Sequence, residues 1–361
     1  MIRAVDNTRG EFSSRRKFTI AMTVTIKDVA RRAGVSIQTV SNVLNRRVNV
    51  RPLTRSKVLK AIEELNYLPN AIARSLVTRK TKAIGLIITN IRNPIYGDVV
   101  ASINEVAERH GYSVIVGNTQ RDSASEQRFV NLFVEQRVDG VLLASGTWDS
   151  SATELLHSAR IPVVRFLSHP QTLSTDFFGA DDCEGTRITT NHLIGLGHGD
   201  IGFVTGPKSS ISLQREQGYR DAMRAAELTI NEQWIIDGGF LREGAYNVGV
   251  QLLKKKRRPS GMVCASDLMA IGIIDAAYDL ALKVPDDLAV TGFDDIFAAS
   301  MRQVNLTTVK FDLEGIAESA ILRLINKMSS ETAIKDRKYV TAPCKLIIRG
   351  SCGASKESAG N

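Results

Sequence analysis

Five polar residues crowd one short stretch near the start of the chain, Ser36, Gln38, Thr39, Ser41 and Asn42, and the apolar spacing of Val40 and Leu44 makes that stretch helical. Gln38, Ser41 and Asn42, with Ile37 beside them, fall on its outward face. Side-chain amides and hydroxyls so placed match the donors and acceptors of base edges in a DNA major groove, and the hydroxyls of Ser36, Thr39 and Ser41 suit phosphate oxygens. Polar residues on a helix face ordinarily meet only solvent. Charge distinguishes this stretch: residues 1–80 hold 17 Lys and Arg against 5 Asp and Glu, a balance of +12 in a chain whose total is +9. A compact basic head on a near-neutral body is the electrostatic footprint of phosphate binding.

A second polar set follows apolar runs deeper in the chain. Asn90, Arg92 and Asn93 come after residues 83–89, with Ile95 and Tyr96 next; Arg215 lies beyond residues 201–205; Ser266 and Asp267 follow residues 262–265; Asp294 follows residues 290–293. If those runs are parallel strands, the residues after them face the crevice where ligands of open α/β sheets bind. Carboxylate and guanidinium forks suit vicinal hydroxyls, and Tyr96 and Phe240, with Trp148, would cover an apolar sugar face. Asp267 and Asp286 serve equally well as helix caps or turn residues, and Trp148 as packing.

The elements that would hold the first set are short. Thr25-Ile26-Lys27-Asp28 is a helix-start signal, Gly34 breaks the helix, and Ser36 caps the next, so the pair reads as a helix-turn-helix. A third helix over residues 52–65 closes a three-helix core through Val58, Ala61, Ile62 and Leu65, and Pro69 ends it. Residues 70–78 are helix-capable but too short to be stable alone. From Lys82 onward, apolar strands at 83–89, 113–116, 141–144, 201–205, 262–265 and 288–293 alternate with amphipathic helices. That alternation predicts α/β architecture, two doubly wound parallel sheets with a cleft between them.

Other chemistries lack their residues. The four cysteines, Cys183, Cys264, Cys344 and Cys352, have no C-x-x-C spacing, and the five histidines lack ligand spacing, so no metal site or cofactor is expected. No nucleophile elbow or H-E-x-x-H motif occurs, and Asp294-Asp295 need not share one site, so no catalytic residues are assigned. Gly195-Leu196-Gly197-His198-Gly199-Asp200 follows a helix and fails as a dinucleotide loop. Lys254 to Arg258 read as the solvated end of a helix. No run of about 18 apolar residues offers a membrane span or a signal peptide, and a cytoplasmic, nucleoid-associated location is expected.

The motifs Thr25-Ile26-Lys27-Asp28-Val29-Ala30, Ala33-Gly34-Val35-Ser36, Thr39-Val40-Ser41 and Leu44-Asn45 resemble the head of the lactose-repressor family, and the likeness continues through Leu65-Asn66-Tyr67-Leu68-Pro69-Asn70-Ala71, Asn93-Pro94, Gly197-His198, Arg215 and Gly292-Phe293-Asp294-Asp295 to about residue 350. It implies a homodimer on a near-palindromic double-stranded DNA operator. Thr25 and Asn45 join the head contacts, and residues 70–77 form a hinge helix in the minor groove, with Asn70 and Ala73 along it and Leu76 as an intercalating wedge. It also sets Arg215, Ser266 and Asp294 against ligand hydroxyls. Ile37, Asn42 and Ser266 depart from residues common in the family, where Tyr, Arg and Asn are familiar. Operator preference is therefore not transferable.

The resulting expectation is a ligand-controlled repressor with a helix-turn-helix head over 24–69, a hinge over 70–81 and a periplasmic-binding-protein-like sensor over 82–350. The sensor halves are expected at about 82–181, with a return after about 309, and at about 182–308. Residues 1–23 read as a disordered extension, with Met22 as an alternative start, and 351–361 as a disordered tail. The effector is expected to be a sugar, with a nucleobase or a partner protein as alternatives. A sugar-uptake binding protein would need a secretion signal and would leave the helix-turn-helix without purpose.

Overall fold

The computed structural model describes residues 24–44, 50–67, 80–145, 151–169, 175–330 and 336–354. The chain divides into two units, residues 1–79 and 80–361. The expectations at Asn45, Asn70, Ala73, Leu76 and Trp148, and for residues 1–23, lie outside the described residues.

In the first unit, α1 (Ile26–Ala33), α2 (Ile37–Leu44) and α3 (Pro52–Glu64) pack around Val29, Ala30, Val40, Val43, Val58, Ala61 and Tyr67. Asp28 starts α1 by accepting from both the Thr25 N–H (3.0 Å) and the Thr25 hydroxyl (2.7 Å). Gly34 stops it at φ 66°, a left-handed conformation open to glycine without penalty. Ser36 caps α2 by accepting from Thr39 N at 3.1 Å. Val43 is the second inward residue of α2, while Leu44, expected there, is only half-buried, because the helix buries the stripe one residue earlier. Arg32 of α1 pairs with Glu64 of α3 at 2.5 Å.

The second unit holds two parallel sheets. The first has the order β11-β5-β4-β3-β1-β2, formed by β1 (Ala83–Ile88), β2 (Ser113–Asn118), β3 (Gly140–Ala144), β4 (Val163–Phe166), β5 (Asp176–Ala180) and β11 (Tyr339–Ala342). The second has the order β7-β6-β8-β9, from β6 (Ile201–Thr205), β7 (Ile235–Asp237), β8 (Gly261–Cys264) and β9 (Ala289–Thr291). The central strands β1 and β3 are buried almost throughout, as strands covered on both faces must be. Helices α4 (Pro94–Arg109) and α11 (Leu313–Ser329) pack together on the first sheet, and α5 (Ser123–Glu135) and α6 (Ser151–Ser158) make a second layer. Against the second sheet α7 (Asp182–Gly195) pairs with α8 (Ser210–Ala225), and α9 (Arg242–Leu253) with α10 (Asp267–Asp279).

The chain passes between the sheets at Asp181, at Asp312 and at Pro343. Asp181 and Asp312 each cap the helix that follows, accepting from Glu184 N and Gly315 N. The third passage was not foreseen in the sequence. It carries β12 (Cys344–Ile347) back to pair antiparallel with β10 (Thr308–Phe311), beside α7 of the second half. The expected boundary at 351 is corrected as well: Ser351 and Cys352 are buried in a short helical turn, and the Ser351 hydroxyl accepts from Thr307 N (2.8 Å) and donates to Val290 O (2.6 Å). A Ser- and Gly-rich composition reads as solvated, but here one hydroxyl satisfies two backbone groups at the edge of the second sheet.

Candidate functional site

The polar face of α2 is built as its spacing requires. Val40 and Val43 turn inward, leaving Ile37 and Gln38 exposed and Ser41 and Asn42 half-buried. Gln38 Nε2 donates to Asn42 Oδ1 at 3.1 Å, which orients both amides on one face, and the Ser36 and Thr39 hydroxyls lie 2.9 Å apart. Thr25 is exposed at the start of α1. A large apolar side chain, Ile37, 45 % exposed among polar neighbours is a feature suited to a thymine methyl.

In the second unit a cavity of about 240 Å³ opens between the carboxyl ends of the two sheets. From the first half come Thr89 after β1, Asn93, Ile95 and Tyr96 at the start of α4, Thr119 and Arg121 after β2, and Ser145 after β3. Leu167 and Ser168 follow β4, and Asp182 begins α7. From the second half come residues 207–211 leading into α8, Arg215 one turn further, Phe240 after β7 and Asp294 after β9. Asn93 caps α4, its side chain accepting from Ile95 N, and Tyr96 donates its hydroxyl to Thr89 Oγ1 at 2.9 Å. A Cβ at Gly206 would overlap the Phe240 ring, so glycine there lets the ring lie against the loop into α8. Arg121, Leu167, Phe240 and Asp294 have φ of 64°, 59°, 54° and 115°. Left-handed backbone at non-glycine residues costs about 1–3 kcal/mol each and gathers where geometry is functional.

Charge at the floor of the cavity is organised around Arg215. Its Nε donates to Asp182 Oδ1 (2.7 Å), and its Nη1 donates to Ala265 O (2.6 Å) and Asp294 Oδ1 (3.3 Å). The guanidinium stacks 3.6 Å over the Phe293 ring. Burial pushes the Asp182 carboxyl up, but Arg215 and His169 outweigh it and hold the group below its ordinary range. Burial dominates at Asp294, where the more distant Arg215 contact compensates only in part and the carboxyl is raised to about 7. Asp182 also meets His169 Nε2 at 2.8 Å, and His169 Nδ1 meets the Tyr339 hydroxyl at 2.7 Å. A hydrogen-bonded chain thus runs from Tyr339 on β11 of the first half to Asp294 of the second.

Of the residues expected in the cleft, Asn93, Ile95, Tyr96, Arg215, Phe240 and Asp294 line the cavity. Ser266 does not: fully buried, it caps α10 by accepting from Met269 N at 3.3 Å, a corrected assignment whose reason is that its short side chain closes on its own helix. Asp267 is likewise structural, accepting from Ile296 N at 2.9 Å and from the Thr308 hydroxyl. Asn90 accepts from Arg92 N in a surface turn. Sequence reasoning missed Asp182, Arg121 and Ser145. Asp182 stood in plain view as a second acid beside the Asp181 cap; its signal was the change of sheet at that position. Among the described residues no group of three or more His, Cys, Asp or Glu is placed to hold a metal ion, and no helix is long and apolar enough to cross a membrane.

Residues 25–70 match the model of bacterial regulatory proteins of the lacI family, and residues 190–352 that of the periplasmic binding protein-like domain. The HTH-type transcriptional repressor PurR of Histophilus somni (strain 2336) is 35% identical over 329 residues, covering 91% of this chain and 98% of that protein. A solved structure of the lac repressor dimer bound to operator and the anti-inducer ONPF superposes with a TM-score of 0.80 at 29% identity, covering 91% of this chain and 98% of that one. A complex of the transcriptional regulator CelR with cellobiose does so with a TM-score of 0.70 at 27% identity, over 91% and 99% of the two chains.

Proposed function

The chain belongs to the lacI family of bacterial regulatory proteins and is a DNA-binding transcriptional repressor, and on that premise we propose that its operator affinity is set by a small polyhydroxylated ligand, a sugar or sugar derivative, held in the cleft of the second unit. The observation that carries this reading is Arg215, fixed between Asp182 and Asp294 at the cavity floor. Its Nη2 and the Asp294 Oδ2 have no hydrogen-bond partner among the described residues, so a donor and an acceptor stand ready for adjacent hydroxyls. A cavity of about 240 Å³, below the ~300–1,000 Å³ of sites for drug-sized molecules, favours a ligand the size of a monosaccharide.

Ligand contacts come from both halves, Asn93 and Tyr96 from one and Arg215, Phe240 and Asp294 from the other. A molecule touching both favours one angle between them, and an equilibrium biased in this way is what a ligand-responsive repressor requires. The head reads DNA as a homodimer on a near-palindromic operator, Gln38, Ser41, Asn42 and Ile37 meeting base edges, Thr25, Ser36 and Thr39 meeting phosphates.

The test is a titration of fluorescent DNA from the chain's own upstream region with the full protein, at fixed salt, with sugars and nucleosides added singly. An operator affinity changed by one sugar in the wild type, and unchanged by it in Arg215→Met, supports the reading; a panel without effect overturns the sugar assignment. A nucleobase is the second reading. It is favoured by the Phe240 ring on the cavity wall and by Asp294, which near neutrality holds a proton part of the time and can then both donate and accept along a planar edge.

A further inference from the structure

The cleft holds a cation that its own acids do not use. Arg121 follows β2 in a loop pinned on both sides: Thr119 N donates to Ile88 O at 3.0 Å, and Asp122 caps α5, accepting from Ser125 N at 2.8 Å. Two consecutive residues in left-handed backbone, Gln120 at φ 52° and Arg121 at φ 64°, turn the Arg121 side chain into the cavity. There its guanidinium lies 4.6 Å from the centroid of the Phe240 ring. It makes no ion pair and no hydrogen bond among the described residues. Two groups act on it through space: Tyr96, a buried phenol that donates to Thr89, and Asp237, which is exposed and already accepts from Gly239 N at 2.8 Å. Burial lowers the Arg121 pKa from its ordinary value, the mark of a cation drawn partly out of water without a counter-charge.

The acids that line the cavity, Asp182 and Asp294, are both bonded to Arg215, so neither is left to pair with Arg121. The first turn of α8 also lines the wall through Ser210 and Ile211, adding the positive end of a 16-residue helix. An uncharged ligand would leave Arg121 half-desolvated and unpaired when the cleft closed on it, which costs more than the ring contact returns.

We infer that the effector carries an anionic group, a phosphate or a carboxylate, which pairs with Arg121 while its hydroxyls meet Arg215 and Asp294. This rests on the cleft being the effector site. The guanidinium fork matches either anion through two parallel N–H bonds, and Phe240 holds the fork flat for that approach.

Calorimetric titration of the full chain with matched probes tests it: glucose against glucose 6-phosphate and gluconate, ribose against ribose 5-phosphate, and inorganic phosphate alone. At least one anionic probe is expected to bind ten times or more tighter than its neutral parent, and the preference to weaken with salt. Arg121→Gln should remove that preference, Arg121→Lys retain part of it, and the neutral parent change less than twofold in either. Thermal melting of both variants guards against a folding defect. Equal binding of neutral and anionic partners, dependent on Arg215 and indifferent to Arg121→Gln, overturns the anionic assignment and leaves the effector cleft standing. If no probe binds and none alters operator affinity, both fall. Preference for a phosphate probe over its carboxylate counterpart, or the reverse, identifies the source of the anion.

Discussion

The head and the cleft solve recognition in opposite ways. The head displays its polar residues on the outside of a small core, contributed by neighbouring residues of one helix, and its charge is a surplus spread over the surface. The cleft buries its charges, draws them from segments more than a hundred residues apart, and holds two of them, Arg121 and Asp294, on left-handed backbone. Partners in water need no pre-paid desolvation, so the head tolerates change one residue at a time. Groups taken out of water depend on each other, and the cleft should fail as a set.

The sharpest test of that difference is Arg215→Met. Removing the guanidinium leaves Asp182 with His169 alone and Asp294 without its cation in a buried site, and breaking such a buried pair costs roughly 3–5 kcal/mol. Denaturant unfolding of the second unit, followed by tryptophan fluorescence from Trp148 and Trp234, should show the loss, and pairing the change with Asp182→Asn should recover much of it. A loss below 1 kcal/mol would mean that the cleft is as tolerant as the head.

Gln38→Ala is the counterpart in the head. Gln38 is exposed and its one side-chain bond is to Asn42, so folding of the first unit should change by less than about 0.5 kcal/mol. Specific operator affinity should fall by about 1–3 kcal/mol, with the salt dependence of binding intact, because a base contact rather than a phosphate contact is removed. Equal losses on operator and on random DNA would take Gln38 off the base edges.

The same contrast explains what the sequence made legible. The helix-turn-helix depends on spacings inside twenty residues, and Thr25, Gly34 and Ser36 act in the structure as those spacings require. Among the strands buried on both faces, β1, β3 and β6 were readable as apolar runs, whereas β4 and β5, nearly as buried, were not, because Arg165 interrupts the one and Asp176 and Gly179 the other. The short strands β7, β10, β11 and β12 were also missed, since three or four residues with mixed burial have no period to detect, while the longer β2 was read despite its exposure. In the cleft, Arg215 and Asp294 stood out as charges after strands. Ser266, in the same kind of position, turned out to be a helix cap, and Asp182 owes its place to the crossing between sheets, a position read from the sequence as a boundary between the halves and not as part of the cleft.

Proton concentration separates the two regions next. Burial raises the Asp294 carboxyl to about 7, against the pull of Arg215 and with Asp182 adding to the rise. A carboxyl raised in the folded state is protonated there at pH values where the unfolded chain has lost the proton, so its contribution favours the folded state at low pH and is lost as pH rises through about 7. Ligand hydroxyls need the ionised acceptor, which goes from about a tenth to about nine-tenths populated between pH 6 and 8. Effector affinity should therefore rise about tenfold over that interval and flatten in Asp294→Asn. Affinity falling over the same range would favour a planar ligand that uses the protonated acid. Operator binding by the head alone, with no titrating group on α2, should stay level.

The smallest expected effect lies at Ser36, where one hydroxyl has two assignments. It caps α2 through Thr39 N and is placed for a phosphate. Ser36→Ala removes both functions and should cost the head about 1 kcal/mol, whereas Ser36→Gly removes the hydroxyl yet, as a tolerable cap, should cost only a few tenths. Thermal melting reads the cap and operator titration reads the phosphate. If both variants lose the same two- to threefold in operator affinity while only alanine melts early, the hydroxyl meets DNA as well as its own helix. If affinity tracks melting temperature instead, Ser36 acts on DNA only by holding α2 in place, and even in the exposed head one contact residue depends on the fold beneath it.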